Sequence, residues 1–286
     1  MFLDIILAGL PIGCIYAFVA LGFSLIYSAV RLLHLAQGEL IMVGAYIGLW
    51  FSSKYGFTTI PSFVMAILIV SAVAVLIERL AYRRIISAHP SNRIICTLAV
   101  GIILKNLMQV LTTSRPQSLP ARILSGQPLM LGSLAIPPTY YLTIIISAVT
   151  MAGLSLFLLK TKTGLAIRAT AYKRDLSDLM GINTGITLSL SFFIGGALAG
   201  IGGILAGKIL FIQPTMGFTI AIKGFIAAVL GGWGSLPGAV LGGLLFGLIE
   251  TCSAGLISSD YKDAITFLLL VFILIFRPRG LLGSDE

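Results

Sequence analysis

Residues 179–207 read LMGINTGITLSLSFFIGGALAGIGGILAG, with no Asp, Glu, Lys or Arg among them. A run of about 18 or more such residues is long enough to cross the hydrocarbon core of a bilayer as a helix. Residues 5–30, 55–77 and 224–249 are equally free of charge. Across all 286 residues, 58% are hydrophobic and 10% charged, with a mean hydropathy of +1.06. A soluble domain carries about 25% charged residues. Too few polar side chains remain to cover a water-facing surface, which excludes a soluble enzyme and an ordinary nucleic-acid-binding protein. In lipid each backbone group must be satisfied within the protein, so the spans are expected to be helices.

Working outward between the charge clusters, the apolar runs predict helices at 5–29, 38–53, 58–77, 94–113, 139–159, 186–207, 238–257 and 264–276. A ninth, 212–232, is interrupted by Pro214 and Lys223. Segment 38–53 is short enough to be a broken or re-entrant helix. The fold expected is all-α: a polytopic membrane bundle of eight to nine helices, with residues 1–286 forming one domain. The net charge of +9 fits Lys/Arg enrichment in cytoplasmic loops. Arg79, Arg83, Arg84 and Arg93 form one cluster; Lys160, Lys162, Arg168, Lys173 and Arg174 form another; Arg277 and Arg279 mark the tail. All three lie on one side only if 212–232 also crosses, which puts the N-terminus outside and the C-terminus inside.

The motifs divide into packing and chemistry. Glycines recur at i, i+4 in Gly9/Gly13, Gly196/Gly200, Gly203/Gly207, Gly238/Gly242 and Gly243/Gly247, a spacing that lets helix backbones approach in lipid. The segment Gly202–Ile209 approaches a P-loop pattern but lacks its hydroxyl and its strand–loop–helix setting, so it is read as packing. Cys14, Cys96 and Cys252 are isolated, and neither His34 nor His89 has a ligand at metal spacing. No metal site and no catalytic residue is expected. Polar side chains inside spans are costly and face a cavity or a partner. They are Gln37 and Glu39 at one helix start, Lys105, Asn106 and Gln109 in the fourth span, and Glu250 near an outer end. Gln37, Glu39, Asn106 and Gln109 are the candidate solute-path residues, with helix–helix hydrogen bonding as the plainer alternative. Gly231, Gly232, Gly234, Pro237 and Gly238 break helicity as a hairpin turn or as two half-helices. The polar loop 160–185 fits one or two amphipathic helices, for lipid contact or for docking a cytoplasmic protein.

Three blocks resemble the permease subunits of branched-chain amino-acid ABC importers. The first is Leu33-His34-Leu35-Ala36-Gln37-Gly38-Glu39, followed by Met42 and Gly44-Ala45-Tyr46; it is similar to N-x-A-H-G-E with His34 and Gln37 substituted. The second runs from Gly164 through Arg168-Ala169 and Asp175 to Gly181-Ile182-Asn183. The third is Ala227–Ala239, with Gly242, Gly243 and Glu250 beyond it. The tail Arg277–Gly283 is similar to R-P-x-G-L-L-G.

The resemblance implies a multi-pass permease in a bacterial or archaeal inner membrane, not itself an enzyme. It implies a second permease subunit, two cytoplasmic ATPases that hold the ATP and Mg²⁺, and an extracytoplasmic solute-binding protein. Loop 160–185 would then couple to the ATPases through Gly164, Arg168, Asp175 and Gly181, with Arg168 and Asp175 expected on one face of a short helix. The solute would be a branched-chain or other amino acid, with urea or short amides as alternatives. An ion-coupled secondary transporter using Glu39, Lys105 or Glu250 is the rival from another class. The chain carries no cofactor of its own on this reading.

Overall fold

A computed structural model describes residues 2–283 except Ser87, Thr113, Ser114, Gly132, Ser133, Ser259, Pro278 and Arg279. Two residues of the tail motif, Pro278 and Arg279, therefore lie outside the described residues. The helices are α1 (Phe2–Val30), α2 (Gln37–Tyr55), α3 (Thr59–Ile77), α4 (Arg83–Ile85), α5 (Pro90–Leu111), α6 (Pro138–Lys160), α7 (Lys162–Tyr172), α8 (Arg174–Leu179), α9 (Thr184–Ile209), α10 (Met216–Gly231), α11 (Leu236–Leu256) and α12 (Lys262–Phe276). A π-helical turn, Glu78–Tyr82, joins α3 to α4. Each of the nine segments expected to cross is helical. Six of these helices are long and apolar enough to span a bilayer, and the chain is a multi-pass membrane protein.

α1 is the centre. It packs against α11, α9, α10 and α6, while α9 also packs on α2 and α3. The glycine pairs lie on these seams. Gly9 faces Leu248, and Gly13, Gly243 and Gly247 bring the α1 and α11 backbones into direct contact around Ala17. Gly196 and Gly200 seat α9 on Ala66, Val70 and Ser71 of α3, and Gly203 and Gly207 seat it on Ile41 and Ala45 of α2. A Cβ at most of these positions would enter neighbouring backbone, so close approach is the reason for glycine.

Two helices begin inside the bundle. Residues 32–36 are non-helical and largely buried, and α2 starts at Gln37, whose Nε2 donates to the Gly195 carbonyl at 3.1 Å. Gly195 is 11 residues into α9, about 16 Å along its axis. α10 starts at the same level, with Gly217 against Gly38. Segment 38–53, expected to be broken or re-entrant, lies within one unbroken helix of 19 residues. α10 is 16 residues long, shorter than the predicted run 212–232. Residues 210–215 carry the chain inward to its start without helix, through a bridge between Ile212 and Gln117. Strands Leu129–Leu131 and Leu134–Ile136 pair antiparallel, a pairing for which the apolar pattern gave no signal.

Candidate functional site: an interior groove and a folded knob

Gly38 and Gly217 let the first turns of α2 and α10 touch, and the Glu39 side chain packs against Gly217. α5 closes the third side, with Gly101 next to the Glu39 Cγ. Together they bound a groove of about 540 Å³, lined by Glu39, Thr97, Gly101 and Lys105 and by the apolar side chains of Leu35, Leu98, Ile102, Phe218, Ile222 and Phe225. Glu39 is 4% exposed, and its Oε2 has no hydrogen-bond partner. Lys105 lies one turn along α5 from Gly101 and lines the same space.

The four predicted path residues do not converge. Gln37 is fully buried, wedged against Gly22 and bonded to Gly195, so it faces the core and not the groove. Asn106 and Gln109 lie one helical turn along α5 beyond the groove-lining Ile102 and Lys105, with exposed side chains, and Asn106 Nδ2 donates to its own helix at the Ile102 carbonyl, 2.8 Å away. Glu39 alone of the four lines the groove. His34 is buried between the rings of Tyr82 and Phe192, at 5.2 and 5.4 Å centroid separations.

The helix-breaking segment is a tight turn. α10 ends at Gly231 and Gly232 and Gly234 adopt positive φ. Ser235 Oγ then accepts from the Gly238 N–H at 3.1 Å, capping α11 with Pro237 in its first turn. The hairpin alternative is the observed one. Gly231 and Gly238 pack face to face.

The loop 160–185 is a folded knob. Thr161 Oγ1 accepts from the Gly164 N–H at 2.9 Å and starts α7, and Gly164 lies against Phe157 and Leu158 with no room for a Cβ. Asn183 Oδ1 caps α9 by accepting from Ile186, 3.1 Å away. One expectation is corrected. Arg168 and Asp175 do not share a helix face, because Lys173 is extended (φ −156°, ψ 104°) and divides the segment into α7 and α8. Arg168 lines a cavity with Arg31, Tyr172 and Trp233, whereas Asp175 is exposed on α8. Asp178 holds the turn, accepting from the Thr184 hydroxyl at 3.1 Å, and Gly181 (φ +81°) supplies the left-handed residue that ends it. A brace fixes the knob's far end: Glu78 accepts from Arg83 at 2.9 Å and from Ser189 at 2.7 Å, and Arg83 donates to the Gly185 carbonyl at 2.8 Å.

The sequence pattern described as "Branched-chain amino acid transport system / permease component" matches residues 5–274. The chain belongs to this permease family. It is 35% identical to the high-affinity branched-chain amino acid transport system permease protein BraD of Pseudomonas aeruginosa, over 100% of this chain and 97% of that protein. It is 34% identical to the LivH permease protein of Escherichia coli K12, over 100% and 96%. The probable LivH permease of Methanocaldococcus jannaschii is 29% identical over 93% and 88%. No solved structure matches. As a family member the chain is a membrane permease subunit of ABC-type transport, in agreement with the sequence resemblance.

Sequence reasoning did not assemble a second ionic site in this permease. Lys223 of α10 contacts Glu250 of α11 at 2.5 Å and Asp263 of α12 at 2.9 Å. The Tyr16 hydroxyl of α1 donates to the other Glu250 oxygen at 2.7 Å. Lys223 was visible only as an interruption of an apolar run. Its partners lie 27 and 40 residues away, beyond any local pairing rule.

Proposed function

We propose that this chain imports branched-chain amino acids across a bacterial or archaeal inner membrane, driven by partner ATPases. The observation that carries the reading is the end-to-end match to permeases named for high-affinity branched-chain amino acid transport. The α7–α8 knob would receive the ATPases, which hold the ATP and Mg²⁺, through exposed side chains that include Asp175. A rigid attachment transmits a domain motion that a slack loop would absorb, and the Thr161, Asp178 and Arg83 bonds supply that rigidity. A second permease subunit would cover the exposed face of α5, because Asn106 and Gln109 are costly against lipid. A solute-binding protein would deliver the amino acid from outside.

ATP binding by the partners can shift the permease between states only through unequal affinity for them. The test is uptake of labelled L-leucine into proteoliposomes holding the permease with its ATPases and binding protein. Uptake should require ATP hydrolysis and survive an ionophore. Uptake that persists with ATPase-dead partners and collapses with the ionophore would replace this reading with ion-coupled transport.

A further inference from the structure

The groove between α2, α5 and α10 combines an unsatisfied anion, a cation and an apolar wall. Glu39 Oε2 is buried without a hydrogen-bond donor, although a buried polar atom without a partner is costly. The first turns of α2 and α10 meet at this carboxylate. Their positive ends offset the cost of a negative charge there but give the oxygen no bond. Lys105 lines the same cavity from α5, one turn beyond Gly101, and Lys105 and Glu39 form no ion pair with each other among the described residues. The bundle has therefore kept two opposite charges around one cavity without closing them on each other. The cavity volume lies within the range of small-ligand sites.

We propose that Glu39 and Lys105 are the two poles of a zwitterion site, which deepens the amino-acid reading above and rests on it. Glu39 Oε2 accepts from the α-ammonium, and Lys105 Nζ donates to the α-carboxylate. The wall of Leu35, Leu98, Ile102, Phe218, Ile222 and Phe225 surrounds the aliphatic side chain. A free L-amino acid satisfies both poles at once, whereas an amine or a carboxylic acid of the same shape satisfies one. Half-helix ends at mid-membrane are a recurrent way to hold such solutes.

The test uses the complete transporter in proteoliposomes. Glu39→Gln and Lys105→Met should each lower L-leucine uptake by about tenfold or more, the range for losing a charge-assisted hydrogen bond, at wild-type levels of assembled complex. Lys105→Arg should retain most of it. A thiol introduced by Leu98→Cys, with Cys96→Ser to silence its neighbour, reads occupancy directly. L-leucine should slow its alkylation, while isoamylamine and isocaproate at the same concentration should not. Uptake within about twofold of wild type in both charge variants, or equal protection by isocaproate, overturns the site and leaves the importer reading standing. A wild-type complex that carries no amino acid overturns both. Should Glu39→Gln fail to assemble, Lys105→Met and the alkylation rates decide alone.

Discussion

Glu39 and Glu250 are the same residue at nearly the same burial, 4% and 6% exposed, in opposite chemical conditions. Glu250 accepts through both oxygens, from Lys223 and from Tyr16, and Lys223 reaches on to Asp263. Those bonds tie α1, α10, α11 and α12 together. Glu39 has an oxygen with no donor and faces an open groove. Burial of a charge therefore does not by itself identify a transport residue. Residual bonding capacity separates the two, because a saturated carboxylate has nothing left to offer a solute.

The largest effect should come from unpairing the saturated site. Lys223→Met leaves Glu250 buried without its cation and should cost about 3–5 kcal/mol, read as a lowered thermal unfolding midpoint in detergent. Adding Glu250→Gln should restore much of the loss, the non-additivity expected of a coupled pair. A fully additive double mutant would mean that the two groups do not depend on each other. Glu39→Gln should show the reverse pattern. It breaks no bond within the chain, so the unfolding midpoint should hold or rise while leucine uptake falls. A drop comparable to that of Lys223→Met would place Glu39 among the structural charges.

The same contrast recurs in the α7–α8 knob. Asp178→Ala removes the acceptor for Thr184 at the start of α9 and should cost about 1 kcal/mol of stability, measured by the same unfolding assay. Asp175→Lys touches an exposed side chain with no bond to lose, so the midpoint should not move while substrate-stimulated ATPase activity declines. Unchanged stimulation would reduce α8 to a lipid-facing segment. The smallest effect is expected on α5. Asn106→Leu forfeits a bond to the helix's own backbone, and Gln109→Leu removes an exposed amide. Polar contacts within membranes average about 0.6 kcal/mol, so each should lower uptake by about threefold at most. A tenfold fall would place that residue on the solute path.

The fold was legible to the extent that charge-free runs encode it. The nine helical segments and the glycine seams follow from composition and spacing, because lipid leaves the backbone few alternatives. Depth was not encoded. Nothing in Gln37-Gly38-Glu39 or Thr215-Met216-Gly217 says that both helices begin at one level, and that level is what places Glu39 at the groove. The break at Lys173 carries no Pro or Gly to announce it, so Arg168 and Asp175 read as neighbours on one face. Gln37 and Glu39 were equal candidates in the sequence, and only the direction of each side chain separates a core amide from a groove carboxylate. Asn106 and Gln109 were chosen for polarity at mid-span, and polarity does not say how far along α5 the groove extends.

The α1–α11 seam has a mechanical consequence. Where Gly13, Gly243 and Gly247 bring two backbones together with no side chain between them, there is no soft layer to shear. Sliding by even a fraction of a turn would drive Cβ atoms of neighbouring residues into main chain. α5 is attached differently, chiefly to α2 and to the π-helical turn, and much of its surface is free of this chain's own side chains. The bundle thus has a stiff spine and, on the side of the groove that carries Lys105, a lightly attached wall. Any stroke that opens or closes the groove at low elastic cost moves α5 against a stationary α1–α11 pair. Distance changes between labels on α5 and α11 should therefore exceed those between labels on α1 and α11 when the transporter turns over.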